Sequence, residues 1–230
     1  MQLKGLLFDF DGTLADTLPI CFHAFRRVFQ EFENLHLTDR EIQAMFGPTE
    51  VGVLERHIRD KARVPQAVEA YYAYYDNDHP AVVAVDASMH ELLDRLKRRG
   101  LKLGVFTGKG RRSYEISCRH LGMGGLFDVA VTGDDVTRPK PDPEGLRKAL
   151  SALGLQPGEV LYVGDNSADI EAGRRAGIRT VGVTWFTATS ADPAFRVKPD
   201  IVVSEFGELW RIVDPLAPPE QSRTAGRPGP

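Results

Sequence analysis

The stretch LKGLLFDFDGTLAD, residues 3–16, places two acids inside an apolar run. Leu6, Leu7 and Phe8 have the character of a buried strand, yet Asp9 and Asp11 follow at once. An unpaired carboxylate inside a protein costs several kcal/mol, a large part of the stability of a small domain. The sequence therefore predicts that a positive partner neutralises these two acids at the end of the strand.

The bulk composition is that of an ordinary globular chain of 230 residues, with 42% hydrophobic and 27% charged residues and a net charge of −3. Basic pairs such as Arg26–Arg27 and Arg174–Arg175 are scattered along the chain, which argues against nucleic acid as a main partner. No apolar stretch reaches membrane-spanning length and the N-terminus has no signal-peptide pattern. Cys21 and Cys118 show no pairing motif and are expected to be reduced thiols. We expect a cytoplasmic monomer or homodimer.

Short apolar runs alternate with segments of helical spacing over most of the chain. This alternation predicts an α/β fold, a Rossmann-like parallel sheet with helices on both faces. One predicted helix spans 142–154, with Asp142 as N-cap and Pro143 at the first helical position. The predicted strands lie in LLFDF, LKLGVFTG, FDVAVTG, EVLYVGD, RTVGVTW and DIVVSEF.

A helical segment interrupts this alternation directly after the first strand. Residues 16–82 contain an apolar stripe at helical spacing, then a capping box at Thr38–Glu41 that opens a helix ending near Gly47, then two more helices. This segment is too long for a loop, and we interpret it as a helical cap inserted into a core of residues 1–15 and 83–214. The Pro/Gly-rich residues 215–230 are expected to be a disordered tail.

Polar residues follow several of the predicted strands at their carboxyl ends, where open α/β sheets bind ligands. These residues are Asp9 and Asp11, Thr107 and Asp165, joined by Lys140 from the loop RPKPDP. Clustered carboxylates favour a hard cation, and Mg²⁺ prefers oxygen ligands and phosphate. A lysine and a hydroxyl are suitable phosphate partners, and glycines at 12 and 108 would let the backbone approach closely.

DFDGTL, FTG, RPKPDP and GDNSAD, in this order, resemble the motifs of the haloacid dehalogenase superfamily, in particular its phosphoglycolate phosphatase-like members with a helical cap. The resemblance implies that Asp9 is the nucleophile and that Asp11 is the general acid and base. It also implies that Mg²⁺ is held by the Asp9 carboxylate, the Asp11 backbone carbonyl and Asp165. The remaining implied roles are phosphate binding by Thr107, Gly108 and Lys140, and support by Gly12, Thr13 and Asp169.

The residues at variable positions of the first motif narrow the activity within this superfamily. Asp11 and Thr13 together favour phosphate-ester hydrolysis over dehalogenase, phosphonatase, ion-pump or phosphoglucomutase chemistry. The expected substrate is a small phosphorylated metabolite, similar to phosphoglycolate, that is hydrolysed through an aspartyl-phosphate. Its leaving group is expected to touch residues of the cap or of the second motif. The candidates are Thr49, Glu50 and Lys109, followed by His23 and Arg27.

Three alternative functions stay open from the sequence. A sugar phosphomutase, or a pyrophosphatase or nucleotidase, would use the same catalytic groups on another substrate. A receiver-like domain also uses a phosphorylated aspartate, further acids, a threonine and a lysine. Receivers place the phosphorylated aspartate after the third strand and have no long helical insert, so the order of motifs disfavours that alternative.

Overall fold

A computed structural model describes residues 2–186 and 195–219. Its sheet has six parallel strands in the order β3-β2-β1-β4-β5-β6, which confirms the predicted α/β fold. The central strands are buried along their whole length, as expected for a parallel sheet covered on both faces. The strands are β1 (Gly5–Phe8), β2 (Lys102–Phe106), β3 (Val129–Val131), β4 (Val160–Gly164), β5 (Arg179–Val183) and β6 (Ile201–Val203).

Nine α-helices complete the described residues. They are α1 (Leu18–Glu33), α2 (Asp39–Gln43), α3 (Glu50–His57), α4 (Val64–Val82), α5 (Ala87–Arg98), α6 (Arg111–His120), α7 (Glu144–Leu153), α8 (Ser167–Ala176) and α9 (Phe206–Val213). Helices α7 and α8 contribute Leu146 and Ala172 to the apolar layer on one face of the sheet. Helices α5 and α9 contribute Leu93 and Leu209 to the layer on the other face. No helix of the described residues is long and apolar enough to cross a membrane.

Helices α1–α4 follow β1, where the sequence predicts the inserted cap. Helices α1 and α4 pack together, with the rings of Phe25 and Tyr71 4.6 Å apart. Helix α4 also packs along α6, where Tyr75 Oη lies 2.7 Å from Ser117 Oγ. The division into core and cap stays a prediction, but these contacts place the four helices over one edge of the sheet.

The structure corrects several expected boundaries. Helix α7 begins at Glu144 with Pro143 as its N-cap, one residue later than predicted. Asp142 still accepts a hydrogen bond from the Glu144 N–H (2.9 Å), so its side chain has the expected capping function from one position further out. Helix α2 has the predicted capping box but ends at Gln43, before Gly47.

The expected C-terminal tail begins later than residue 215. Leu216 and Ala217 pack partly against the core, and the Leu216 carbonyl accepts a hydrogen bond from the Leu3 N–H (2.9 Å). Residues 220–230 lie outside the described residues, so the expected disorder there stays a prediction. Cys21 and Cys118 are both buried free thiols.

Candidate active site

The carboxyl ends of three adjacent strands bring polar side chains to one place. Strand β1 pairs with β2 on one side and with β4 on the other. Asp9, Thr107 and Asp165 are the residues that directly follow these three strands. The Asp9 N–H donates to the Val163 carbonyl (2.8 Å), so the strand pairing itself fixes the position of Asp9.

Three buried carboxylates form a cluster at this edge of the sheet. Asp9, Asp165 and Asp169 each present an oxygen within 4.8 Å of the other two, and none is more than 5% exposed. Lys140 Nζ lies 2.7 Å from Asp9 Oδ1 and 2.7 Å from Asp169 Oδ1. Tyr162 on β4 donates its hydroxyl to Asp169 Oδ1 (2.8 Å), which fixes that carboxylate from below.

The charges of this cluster are unbalanced. Burial, followed by repulsion from Asp169, raises the pKa of Asp9 to about 7, although Lys140 acts in the opposite direction. Burial, followed by repulsion from Asp169 and Asp9, also raises the pKa of Asp165 well above its usual range. One lysine among three buried acids leaves an excess of negative charge on oxygen donors. This donor set suits a hard divalent cation such as Mg²⁺, which would bind between Asp9 and Asp165.

Gly12 lets the first motif approach the cluster. Its φ is +76°, in the left-handed region that glycine adopts without strain. A Cβ at this position would lie 2.8 Å from Asp165 Cγ, which is closer than such atoms pack. The neighbouring Thr13 is fully buried, and its carbonyl accepts a hydrogen bond from the Trp185 indole (2.9 Å). Gly12 and Thr13 therefore shape the turn that carries Asp9 and Asp11.

The carboxylate of Asp11 has partners different from those of Asp9. It accepts a hydrogen bond from the Thr17 hydroxyl, and its Oδ1 lies 3.0 Å from Lys109 Nζ. Lys109 Nζ is also 3.9 Å from Glu50 Oε1 and 3.3 Å from the Cys21 sulfur. Burial alone would lower the pKa of Lys109, but the negative groups, Asp11 first, hold it well above its usual value. Lys109 is thus a buried, charged link between Asp11 and the helices above the sheet.

The second motif lines the same cleft. The hydroxyl oxygen of Thr107, 1% exposed, accepts a hydrogen bond from the Lys109 N–H (3.2 Å), which orders the turn through Gly108. Gly108 has no atom within 4 Å of where a side chain would begin, so its backbone faces open space. Thr107, Gly108 and Lys140 all line the cleft, where a phosphate group could contact them.

The predicted leaving-group contacts separate into two groups. Glu50 and Lys109 line the cleft, and Glu50 accepts a hydrogen bond from the Gly110 N–H (2.8 Å). Thr49 is absent from the cleft wall, and a Cβ on Gly133 would lie 2.5 Å from its methyl carbon, so it packs toward that loop. His23 and Arg27 are wrong as candidates.

Both His23 and Arg27 lie outside the cleft wall because they pair with a different acid. His23 Nε2 and Arg27 Nη1 each lie 2.8 Å from Asp78 Oδ2, across the contact between α1 and α4. This pairing depends on how two helices pack, which the sequence pattern does not show.

The cleft has a volume of about 380 Å³ and two chemically different sides. The acids and lysines lie at the sheet edge, and apolar side chains from α1, α3 and the loop before α3 lie opposite. Sequence reasoning missed most of this second side, although it marked the turn FGPTE as a segment that could face the pocket. The missed side chains that line the cleft include Leu18, Cys21, Phe25, Phe46, Val53, Asn166 and Arg196.

Comparisons with known sequences agree with this geometry. The haloacid dehalogenase-like hydrolase family matches residues 6–183. Pyrophosphatase PpaX of Bacillus velezensis is 33% identical over 211 residues, which is 92% of this chain and 96% of that protein. Pyrophosphatase PpaX of Anoxybacillus flavithermus is 32% identical over 213 residues, which is 93% of this chain and 98% of that protein.

Solved structures show the same fold. A structure from Bacteroides fragilis, named for the haloacid dehalogenase-like hydrolases, has a TM-score of 0.74 and 31% identity, and covers 90% of this chain and 100% of that one. A predicted phosphoglycolate phosphatase from Haemophilus somnus has a TM-score of 0.76 and 23% identity, with coverage of 92% and 98%. The family match spans most of the chain and every motif up to the acid that follows β4. The chain belongs to the haloacid dehalogenase-like hydrolases and is a phosphatase of that family.

Proposed function

We propose that this phosphatase hydrolyses the phosphoric monoester of a small metabolite through an aspartyl-phosphate on Asp9, with Mg²⁺ bound at the acidic cluster. The observation that supports this most is the position of Asp9 on the cleft wall. Its carboxylate is held by Lys140 at 2.7 Å beside Asp165 and Asp169, in a cluster with excess negative charge. The family match excludes the receiver-like alternative.

The first step forms a bond between a carboxylate oxygen of Asp9 and the phosphorus of the substrate. The bond from phosphorus to the ester oxygen breaks, and Asp11 gives its proton to that oxygen, so that an alcohol leaves. Thr17 and Lys109 hold the Asp11 carboxylate apart from the three-acid cluster, which suits a group that handles protons and not metal.

The second step restores the enzyme. Asp11, now ionised, takes a proton from a water molecule as that water attacks the phosphorus. The bond between phosphorus and Asp9 breaks, which releases inorganic phosphate and the free carboxylate. Lys140 and the Thr107–Gly108 turn bind the oxygens of the transferring group in both steps, and positioning and charge neutralisation are what phosphoryl transfer chiefly requires.

Asp9, Asp165 and the backbone carbonyl of Asp11 would hold the Mg²⁺ ion. When bound, the ion neutralises negative charge on the carboxylates and on the phosphoryl oxygens. Asp169 pairs with Lys140 at 2.7 Å and with the Tyr162 hydroxyl at 2.8 Å, so its role is to fix Lys140.

Two substrates are named by the comparisons or by the sequence motifs. Phosphoglycolate is the substrate that the motifs suggest first. Inorganic pyrophosphate is the second candidate, because the relatives at 32–33% identity are named pyrophosphatases. Sugar phosphates and nucleotides stay in the comparison as substrates of the remaining alternatives. The cytoplasmic location and the state as monomer or homodimer stay predictions from the sequence.

A panel of phosphorylated metabolites tests the proposed function. With Mg²⁺, the purified protein is expected to release phosphate from at least one small monoester, and a chelator is expected to remove that activity. Because a bound ion stabilises only the folded state, Mg²⁺ should also raise the melting temperature. Phosphate release that is unaffected by chelation would contradict the proposed role of the acidic cluster. Transfer of phosphate to another sugar position without net release would favour the mutase alternative.

A further inference from the structure

The side of the cleft opposite the acids is an apolar wall. We use "apolar wall" for the side chains of Leu18, Phe25, Phe46 and Val53, all of which line the cleft. The ring of Phe46 stacks on Phe22, with centroids 5.9 Å apart and planes 12° apart. Packing from behind thus holds the wall in place before any ligand binds.

Phe46 is exposed in a way that its chemistry does not favour. It is 38% exposed and is the only aromatic side chain among the large hydrophobic residues that stand exposed in the described parts of the chain. A single exposed hydrophobic residue is common on any surface. Phe46, however, continues an apolar surface that leads directly into the cleft with Asp9, where ligand pockets combine apolar walls with a few polar groups.

The cations of the described cleft residues already have partners. Lys140 lies between Asp9 and Asp169, and Lys109 lies between Asp11 and Glu50. Arg196, the third cation of the cleft, is also engaged in an interaction.

Glu50 adds a negative charge on the apolar side. It is 6% exposed and receives the Gly110 N–H at 2.8 Å. A second anionic group on a substrate would therefore meet apolar carbon and a buried carboxylate there. Burying an unpaired charge against such a surface is strongly unfavourable.

We propose that the apolar wall is the leaving-group subsite, and that it selects phosphate monoesters whose leaving group is uncharged and carries an apolar part. The substrate class is the phosphate ester of a small alcohol or phenol with an aliphatic or aromatic group. Glu50 excludes substrates with a second anion, which include phosphoglycolate and pyrophosphate. This inference rests on the proposed function and narrows its substrate.

A matched pair of substrates tests the selection directly. In isobutyl phosphate an isopropyl group replaces the carboxylate of phosphoglycolate, so both leaving groups have the same number of non-hydrogen atoms. We expect kcat/KM for isobutyl phosphate to exceed that for phosphoglycolate by at least about tenfold, from the burial of its methyl groups alone. Pyrophosphate is expected to be no better than phosphoglycolate.

Two substitutions assign the selection to named side chains. Phe46→Ala is expected to lower the ratio of kcat/KM for isobutyl phosphate to that for methyl phosphate by about tenfold. Phe46→Leu keeps an apolar side chain and should keep most of the ratio. Phe32→Ala is the matched control, because Phe32 is a half-buried phenylalanine of α1 that does not line the cleft. Its ratio should stay within about twofold of the wild-type value.

Glu50→Gln tests the exclusion of a second anion. Glutamine can still accept the Gly110 N–H, but it removes the charge and leaves Lys109 with Asp11 as its one carboxylate partner among the described residues. The ratio of kcat/KM for phosphoglycolate to that for isobutyl phosphate should rise by about fivefold or more, since a desolvated charge pair of this kind is worth 1 kcal/mol or more. A ratio that does not change would overturn the assignment of Glu50.

The outcomes separate this inference from the proposed function. Mg²⁺-dependent hydrolysis with phosphoglycolate or pyrophosphate preferred over isobutyl phosphate would overturn the inference and leave the proposed function standing. An unchanged ratio in Phe46→Ala would also overturn it. Absence of Mg²⁺-dependent hydrolysis of every ester would overturn both. A tenfold preference that Phe46→Ala removes and Phe32→Ala keeps would support the inference.

Discussion

Replacing Asp9 with asparagine is expected to lower kcat by at least about 10⁴-fold on any phosphate ester that the wild-type protein hydrolyses, a loss on the scale seen for other enzyme nucleophiles. Asparagine has the same shape, and its amide oxygen can still accept from Lys140, which lies 2.7 Å from Asp9 Oδ1. It lacks the negative charge and the nucleophilic oxygen that the proposed first step needs. Initial rates with saturating Mg²⁺, measured with wild-type and variant protein side by side, check this expectation.

The folded state of Asp9→Asn provides the control. Burial and Asp169 raise the pKa of Asp9 to about 7, so in the metal-free protein the ionised form of Asp9 lowers the free energy of unfolding as the pH rises through that value. The asparagine variant removes this penalty and should be at least as stable as the wild type at pH 8 without metal. A stable variant that keeps more than a small fraction of the activity would show that Asp9 is not the nucleophile.

Replacing Lys140 with methionine is expected to have the largest effect on stability. Lys140 is the one lysine that contacts the three-acid cluster in the described residues, and its side chain is 9% exposed. Removing one partner of a buried ion pair leaves uncompensated charge and typically costs about 3 kcal/mol or more of the free energy of unfolding. The variant should also lose at least about 100-fold in kcat, because a cation that binds the transferring phosphoryl group is gone.

The pH dependence of this loss identifies its cause. Without Lys140, the pKa of the neighbouring carboxyls rises further above the value in the unfolded chain. The folded state then binds more protons, so the free energy of unfolding of the variant should increase as the pH falls from 8 to 6. The matched control is Lys148→Met on α7, where an exposed lysine pairs with Glu144 and should matter by no more than about 0.5 kcal/mol. Equal losses for the two lysines at every pH would contradict the account of the cluster.

The sequence predicts the acidic side of the site well because sheet topology determines it. Parallel strands end at one edge, so Asp9 after β1 and Asp165 after β4 must lie close once those strands are recognised as neighbours. Lys140 was expected from its motif, and the structure places it between two of the acids. The catalytic roles of these residues stay proposals, but their convergence follows from local patterns.

The other side of the cleft was less predictable because it depends on how helices pack. Phe46 follows α2 in a turn whose direction no periodicity determines, and its ring position depends on Phe22 one helix earlier. The pairing of His23 with Asp78 likewise depends on the register between α1 and α4. Tyr162 looked like one more apolar strand residue, although its hydroxyl fixes Asp169. Contacts between distant elements of this kind have no signal in a single sequence.

Trapping the covalent intermediate tests the central claim most directly. The Asp11→Asn variant should still be phosphorylated by an aryl phosphate, whose leaving group needs little protonation, but it should release the phosphoryl group slowly because no base activates water. After incubation with Mg²⁺ and acid quenching, mass spectrometry of the peptide that contains residue 9 is expected to show one added phosphoryl group on Asp9. Product formation with an unmodified Asp9, or with the group on another residue, would contradict the claim that this carboxylate attacks phosphorus.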